Sequence, residues 1–229
     1  ELAGLIEQTT PKVLIYSDDF IEVVQNLTAD IQGTNHEIGQ YLHLEGDGTP
    51  GSQLYESAFE NQPDVPVTCE SLEAEDIACL LFTGGTTGLP KGAQISHRQI
   101  AWNVLNTVIH DITHNDIYLC VFPLFHTGGL FTYISSQVMF GNTTILIRQF
   151  DPDQVLGLIE REQVTVFAGV PTMYQMLTQA KNWTRADLSS LRFCTSGGAP
   201  LPVPLVQKYV REKNVRFKQG FGMTEYGPG

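Results

Sequence analysis

The sequence predicts an α/β fold of mainly parallel sheets flanked by helices. Three observations carry this. Apolar segments of strand length recur along the chain, each is followed by a break rich in glycine or proline, and most breaks lead into a stretch with helical spacing. A strand that is apolar along its whole length needs cover on both faces, which is the condition of a parallel sheet between helix layers.

Taken in order, Glu1-Leu2-Ala3-Gly4-Leu5-Ile6 has no initiator Met or basic leader and reads as the tail of a helix entered midway, so the sequence is expected to be a piece of a longer chain. Residues 12–17 form a strand, and residues 18–27 a helix with Phe20, Val23, Val24 and Leu27 at helical spacing and Asp18 as its cap. Residues 33–68 are weaker in pattern. They read as a surface connection holding a short strand and helix, with turns at residues 46–51 (GDGTPG) and 62–64 (QPD). The acidic stretch from Glu70 to Asp76 reads as a solvated helix start, and residues 77–82 as a buried strand.

Residues 93–96 give a short strand, and Ser96-His97-Arg98-Gln99 opens a helix whose Ile100, Val104, Leu105, Val108 and Ile112 form one apolar stripe. His97 and Arg98, in its first turn, either reach the loop before residue 93 or face solvent. Residues 116–122 are a buried strand ended by Pro123, followed by an apolar helix to Phe140 and a strand at 143–147. Asp151-Pro152 starts a helix, because proline is preorganised for the first turn. Then come a strand at 164–167, a helix from Pro171 whose Met173, Tyr174, Met176 and Leu177 read as core, a strand at 191–194, a helix at 203–210 and a strand at 215–219.

Composition bounds the function. With 229 residues, 42% hydrophobic and 17% charged, a sizeable core is possible. The net charge of -12, without a Lys/Arg cluster, argues against nucleic acid. No stretch of eighteen apolar residues is present to span a membrane. Cys69, Cys79, Cys120 and Cys194 form no C-x-x-C pair, and they read as buried free thiols of a reducing, cytoplasmic compartment.

The chemistry lies in the breaks. After the strand at 77–82 come Thr83, Gly84, Gly85, Thr86, Thr87, Gly88, Leu89, Pro90, Lys91 and Gly92. Glycines let backbone N–H groups approach a ligand, the threonines add hydroxyls and Lys91 adds a mobile charge, which together suit a phosphate cradle. Lys91 follows proline and precedes glycine, so this is not a Walker loop, and the glycine spacing is not that of a dinucleotide fingerprint. Further breaks are P-L-F-H-T-G-G at 123–129, S-G-G-A-P at 196–200 and G-F-G-M-T-E at 220–225. His126 sits at a strand-to-helix junction, where α/β proteins place ligands, although taken alone it reads better as a capping or core histidine.

From about residue 75 onward, these four breaks in this order resemble the adenylate-forming superfamily, and within it the fatty-acyl and related acyl-CoA synthetases. The departure is Gly84, where that pattern usually has serine. The resemblance implies activation of a carboxylic acid, a fatty acid in the first instance, by ATP with Mg²⁺, and its transfer to coenzyme A. It assigns Thr83–Gly88 and Lys91 to the β- and γ-phosphates, Thr224 to the α-phosphate, and Glu225 with Thr86 to Mg²⁺. Phe221 stacks on adenine, Gly198-Ala199-Pro200 meets the purine edge, and Gly220, Gly222 and Met223 complete the nucleotide loop. His126, with Thr127, Gly128, Gly198 and Gly220, faces the acid. Lys91, His126, Thr224 and Glu225 are the implied catalytic set.

The same resemblance divides the chain into the later part of one αβ lobe (1–112) and most of a second (113–229), with a ribose-binding aspartate and a catalytic lysine expected downstream. Two alternatives stand beside it. One is a nucleotide-binding module without turnover, and the other an adenylating enzyme whose acceptor is a carrier-protein thiol.

Overall fold

The chain opens with helix α1 (Leu2–Thr9), strand β1 (Val13–Tyr16), helix α2 (Ile21–Ile31) and strands β2 (Gln40–His43) and β3 (Gln53–Leu54). The computed structural model describes residues 2–69, 71–84, 88 and 90–226. It contains two compact units, residues 1–71 with 84–91, and residues 72–83 with 92–229.

In the first unit β1, β2 and β3 form a parallel sheet in that order. Ile6, Leu27, Ile31 and Ile38 form its apolar cluster. The expected turn at 46–51 holds, with Gly46, Gly48 and Gly51 all at positive φ. It is pinned by Tyr16, whose buried hydroxyl meets Thr49 Oγ1 at 2.8 Å and accepts the Thr49 N–H at 2.7 Å. Asp18 is not the cap of α2, because a 3-10 turn at Asp18–Phe20 intervenes before Ile21.

The second unit adds β4 (Ile77–Thr83), β5 (Lys91–Ser96, its first residue grouped with the other unit), α3 (His97–Val108), β6 (Ile117–Cys120), α4 (Thr127–Leu130), α5 (Ile134–Phe140) and β7 (Thr143–Leu146). It continues with α6 (Pro152–Arg161), β8 (Val166–Gly169), α7 (Pro171–Gln179), β9 (Phe193–Ser196), α8 (Val203–Lys213) and β10 (Phe217–Gln219). Five strands form one sheet in the order β10-β9-β8-β6-β7, every pair parallel. Alternation along the strands assigns its two faces. Leu119, Phe167 and Cys194 point into a core with α6, α7 and α8, whereas Tyr118, Cys120, Val166, Ala168 and Phe193 point into a second core with Tyr133 and Ile134.

Local chemistry fixes several helix starts. Asp151 accepts the Gln154 N–H at 2.7 Å ahead of Pro152. Ser96 and Gln99 form a reciprocal capping box on α3.

Other expectations fail for identifiable reasons. The strand at 77–82 is not buried: β4 pairs in a two-stranded sheet with β5, and Ile77, Leu80 and Phe82 are exposed while Leu81 is buried. The acidic stretch at 71–76 forms turns rather than a helix, with Asp76 accepting the Glu73 N–H and Glu75 pairing with Arg98. Glu70 lies outside the described residues. The α3 stripe is rotated, since Asn103, Val104 and Thr107 are buried and Leu105 and Val108 are exposed. Met176 faces solvent beside buried Tyr174 and Leu177. Of the four free cysteines, Cys120 and Cys194 are buried, but Cys69 is exposed because its segment forms no strand.

Beneath β6, Asp116 is 2% exposed and binds the Arg192 guanidinium through both oxygens, at 2.6 and 2.7 Å. The Thr113 N–H and Thr165 hydroxyl also donate to it. Burial alone would raise its pKa, but these bonds, led by Arg192, hold the carboxyl below its usual value. A depressed folded pKa contributes stability that is fully present above the unfolded value of about 3.9 and is lost as pH falls through the folded one. Asp116→Ala therefore should lose about 1–3 kcal/mol at pH 7 and show a flatter acid limb of stability, measured by urea unfolding between pH 7 and pH 2.

Candidate functional site

The order β10-β9-β8-β6-β7 contains a reversal. From β6 the chain goes to β7 on one side, returns past β6 through α6 to β8, and then continues outward to β9 and β10. Loops leaving β6 and β8 therefore part, and a crevice opens at the carboxyl ends of these strands, where open α/β sheets hold ligands. A cavity of about 590 Å³ lies there. Its walls come from the strand ends: Phe122, Pro123 and His126 to Gly128 after β6, Ala168 and Val170 at β8, Thr195, Gly197 and Gly198 at β9 and Gly220 to Glu225 after β10. All of these residues belong to the second unit.

His126, Thr127, Gly128, Gly198, Gly220, Phe221, Gly222, Met223, Thr224 and Glu225 are thus brought together by the structure. His126 also caps α4, because its Nδ1 accepts the Gly128 N–H at 3.0 Å. Nδ1 being the acceptor, the neutral ring carries its hydrogen on Nε2. Gly129 is fixed by packing, since a Cβ there would sit 2.2 Å from the Pro123 carbonyl oxygen.

The third and fourth breaks are joined directly, with the Gly220 N–H donating to Ser196 O at 2.7 Å. Thr224–Tyr226 form a short 3-10 turn whose position is tied to α3 by Gln99 Nε2 donating to Glu225 O at 3.0 Å. Phe221 is 79% exposed, with Tyr226 as a neighbouring ring at 6.5 Å. Ala199 and Pro200 are exposed beyond Gly198, which has φ of 75°.

The first break stands differently. Thr83 ends β4, Lys91 begins β5, and Gly84 and Gly88 lie between them with open space where a Cβ would be. Gly85, Thr86, Thr87 and Leu89 lie outside the described residues. The stretch 84–91 is grouped with the first compact unit. Of the two first-turn residues of α3, Arg98 pairs with Glu75, and the His97 N–H donates to Asp76 O at 3.1 Å.

Sequence reasoning missed one wall of the cavity. Asn106, Thr107 and His110 come from α3 and the turn after it, and Thr132 and Tyr133 from the turn before α5. Polar residues at helical spacing beside an apolar stripe were the available signal for Thr107, whose hydroxyl donates to Asn103 O at 2.7 Å. The Tyr133 hydroxyl meets Thr195 Oγ1 at 2.6 Å. Burial pushes this phenol up to about 12, so it is neutral and presents a polar, uncharged wall.

A parallel sheet with a ligand-sized crevice over its reversal defines an open α/β fold, the class in which small-molecule sites are found at the strand ends. The chain belongs to the AMP-binding enzyme family, whose model matches residues 1–229. A feruloyl-CoA synthase of an Amycolatopsis species is 36% identical over 230 residues, covering 100% of this chain and 43% of that protein. A long-chain-fatty-acid–CoA ligase of Bacillus subtilis is 32% identical over 193 residues, covering 82% of this chain and 34% of that protein. The crystal structure of ATP-bound MatB from Rhodopseudomonas palustris matches with a TM-score of 0.80 at 29% identity, covering 98% of this chain and 42% of that one. The chain therefore spans less than half the length of these relatives.

Gly129→Ala tests the packing of the first turn of α4. The added methyl meets backbone rather than a movable side chain, so the variant should lose about 1–3 kcal/mol of stability. Thermal unfolding with an unchanged midpoint would show that the Pro123 to Gly129 turn relaxes without cost.

Proposed function

We propose that this chain carries most of the nucleotide and acyl site of an ATP-dependent acyl-CoA synthetase. The observation that supports this best is the convergence of three motif-bearing strand ends on one cavity. In the proposed reaction a carboxylate oxygen attacks the α-phosphorus of ATP and pyrophosphate leaves. The thiolate of coenzyme A then attacks the acyl carbon, and AMP leaves. Two anions meet in the first step, so the site must align them and offset their repulsion.

Residue roles follow from chemistry. Thr224 donates its hydroxyl to the α-phosphate, and Lys91 with Thr83, Gly84, Gly85, Thr86, Thr87 and Gly88 serves the β- and γ-phosphates. Phe221 offers a ring to adenine, and Gly198, Ala199 and Pro200 offer backbone to its edge, beside the loop of Gly220, Gly222 and Met223. His126, with Nδ1 occupied by Gly128, has an Nε2–H to orient the carboxylate, beside Thr127 and Gly128. Mg²⁺ would be held by Glu225, with Thr86, and by phosphate oxygens, since this hard cation is usually bound by one or two carboxylates together with substrate phosphates. When bound, Mg²⁺ supplies positive charge to the phosphate oxygens.

The acid is proposed to be an apolar carboxylic acid, fatty or aryl. The P-L-F-H-x-x-G motif favours the fatty class, while the relatives' own names extend to feruloyl. The lobes 1–112 and 113–229 belong to this proposal, as does a cytoplasmic setting, with which the free thiols agree. Among the described residues no helix is long and apolar enough to cross a membrane. Pyrophosphate release from ATP, measured in the full-length protein with a panel of fatty and aryl acids, tests the reading. No release with any acid of the panel would leave only a nucleotide-binding module, and product release independent of CoA would point to a carrier-protein thiol.

Lys91→Ala should slow acid-dependent pyrophosphate release about 10²- to 10³-fold with little change in stability, because one charged donor to a reacting phosphate is worth that much. Unchanged release would remove Lys91 from the site. Glu225→Gln replaces an anionic oxygen ligand by a neutral one of equal size, so the Mg²⁺ concentration at half-maximal rate should rise. A reduced rate with unaltered Mg²⁺ dependence would assign Glu225 another role.

A further inference from the structure

Gln219, the last residue of β10, stands between the two breaks that wall the nucleotide end of the cavity. Its Nε2 lies 3.0 Å from Ser196 O, 3.3 Å from Ala199 O and 3.1 Å from Gly220 O, and its Oε1 accepts the Leu201 N–H at 3.0 Å. The orientation of this amide is fixed by its surroundings. Reversing it would turn the oxygen toward three carbonyls, with no hydrogen to share, and the NH₂ toward an N–H, with no acceptor. One side chain thus ties both ends of the 196–201 turn to the start of the 220–225 turn. A further direct link is the Gly220 N–H to Ser196 O bond at 2.7 Å.

We propose that Gln219 is a positioning residue that holds the S-G-G-A-P and G-F-G-M-T-E turns in register. Its two N–H hydrogens orient carbonyls on one turn, and its oxygen anchors the backbone of Leu201 at that turn's far end. The purine wall at 198–200 and the adenine and phosphate groups at 221–224 then keep a fixed spacing before any ligand arrives. Gln219 is exposed and contributes no surface to the cavity, so its effect on a ligand passes through the two turns. This inference rests on the nucleotide reading above for the identity of the ligand, but not for the tie itself.

The test compares wild type, Gln219→Ala and Gln219→Glu. Glu keeps the acceptor for Leu201 and replaces the donors by a carboxylate oxygen facing three carbonyls. Backbone amide exchange without nucleotide should speed up at Leu201 in the Ala variant, and in both variants the turn around 197–200 should lose protection. With AMP as probe, calorimetry on the full-length protein should show binding about 10-fold weaker in Ala and weaker still in Glu. The KM for ATP should rise more than kcat falls, because the ground-state complex already uses both turns. Melting temperatures within a few degrees of wild type would separate this from general unfolding. Should the Ala variant be too unstable, Gln219→Asn, which keeps the amide chemistry at shorter reach, should recover part of both readouts. If wild type bound no AMP, the nucleotide reading would fail while exchange at Leu201 still judged the tie. If wild type bound AMP and both variants matched it in affinity and exchange, Gln219 would hold neither turn and the proposal would be overturned.

Discussion

A right-handed crossover between parallel strands leaves its helix on a face decided by the direction of travel across the sheet. In this protein the direction changes once, after β7. The step from β6 to β7 leaves α4 and α5 beside Tyr118 and Cys120, and all later steps run the opposite way, leaving α6, α7 and α8 beside Leu119 and Phe167. Two cores result from one reversal, and so does the crevice where the loops after β6 and β8 separate. No single residue makes this cavity. It follows from strand order, and side chains decide only what it can hold.

The electrostatics of that crevice constrain its ligand. The chain carries a net charge of -12, and among the described residues lining the cavity the one carboxylate is Glu225, with no lysine or arginine. A phosphate group there depends on backbone N–H groups, on hydroxyls such as Thr224, and on a cation brought from outside the wall. A neutral Tyr133 and a His126 whose Nδ1 is already engaged offer hydrogen bonds without fixed charge. Such a surface discriminates by geometry more than by attraction, because an anion gains little from the protein's overall field. Held turns matter more under these conditions, since the described wall itself carries no lysine or arginine to offset a misdirected dipole.

How much of this was legible in the sequence depends on the kind of signal. Strand, break and helix order was legible because periodicity and glycine breaks are local, and three of the four motif breaks do meet at one cavity. Boundaries slipped where an apolar residue serves the core without joining the ladder: Leu191 and Val215 are buried, yet β9 begins at Phe193 and β10 at Phe217. Residues 77–82 were read as buried because an apolar segment does not state how many strands will flank it, and β4 has one partner. The Gln99–Glu225 link, the ties of Gln219 and the Asp116–Arg192 pair were invisible for another reason. Their partners lie between 18 and 126 residues away for the contacts that matter, beyond any window of pattern.

The glycines themselves separate fold from function. Gly129 is demanded by the protein, since a Cβ would strike the Pro123 carbonyl at 2.2 Å. Gly198 is favoured by its φ of 75°. Gly84, Gly88, Gly197 and Gly220 are not explained in this way. A Cβ on Gly220 would meet nothing closer than 3.5 Å, one on Gly197 nothing closer than 3.9 Å, and those on Gly84 and Gly88 nothing within 4 Å. Glycine costs conformational entropy on folding, so retaining it where an alanine would fit needs another cause. At Gly197 and Gly220, which line the cavity, the cause consistent with the geometry is backbone left bare for a ligand to approach. By that criterion the glycines of residues 197 and 220 mark the site more reliably than the more conspicuous Gly128-Gly129 pair, half of which the fold already requires.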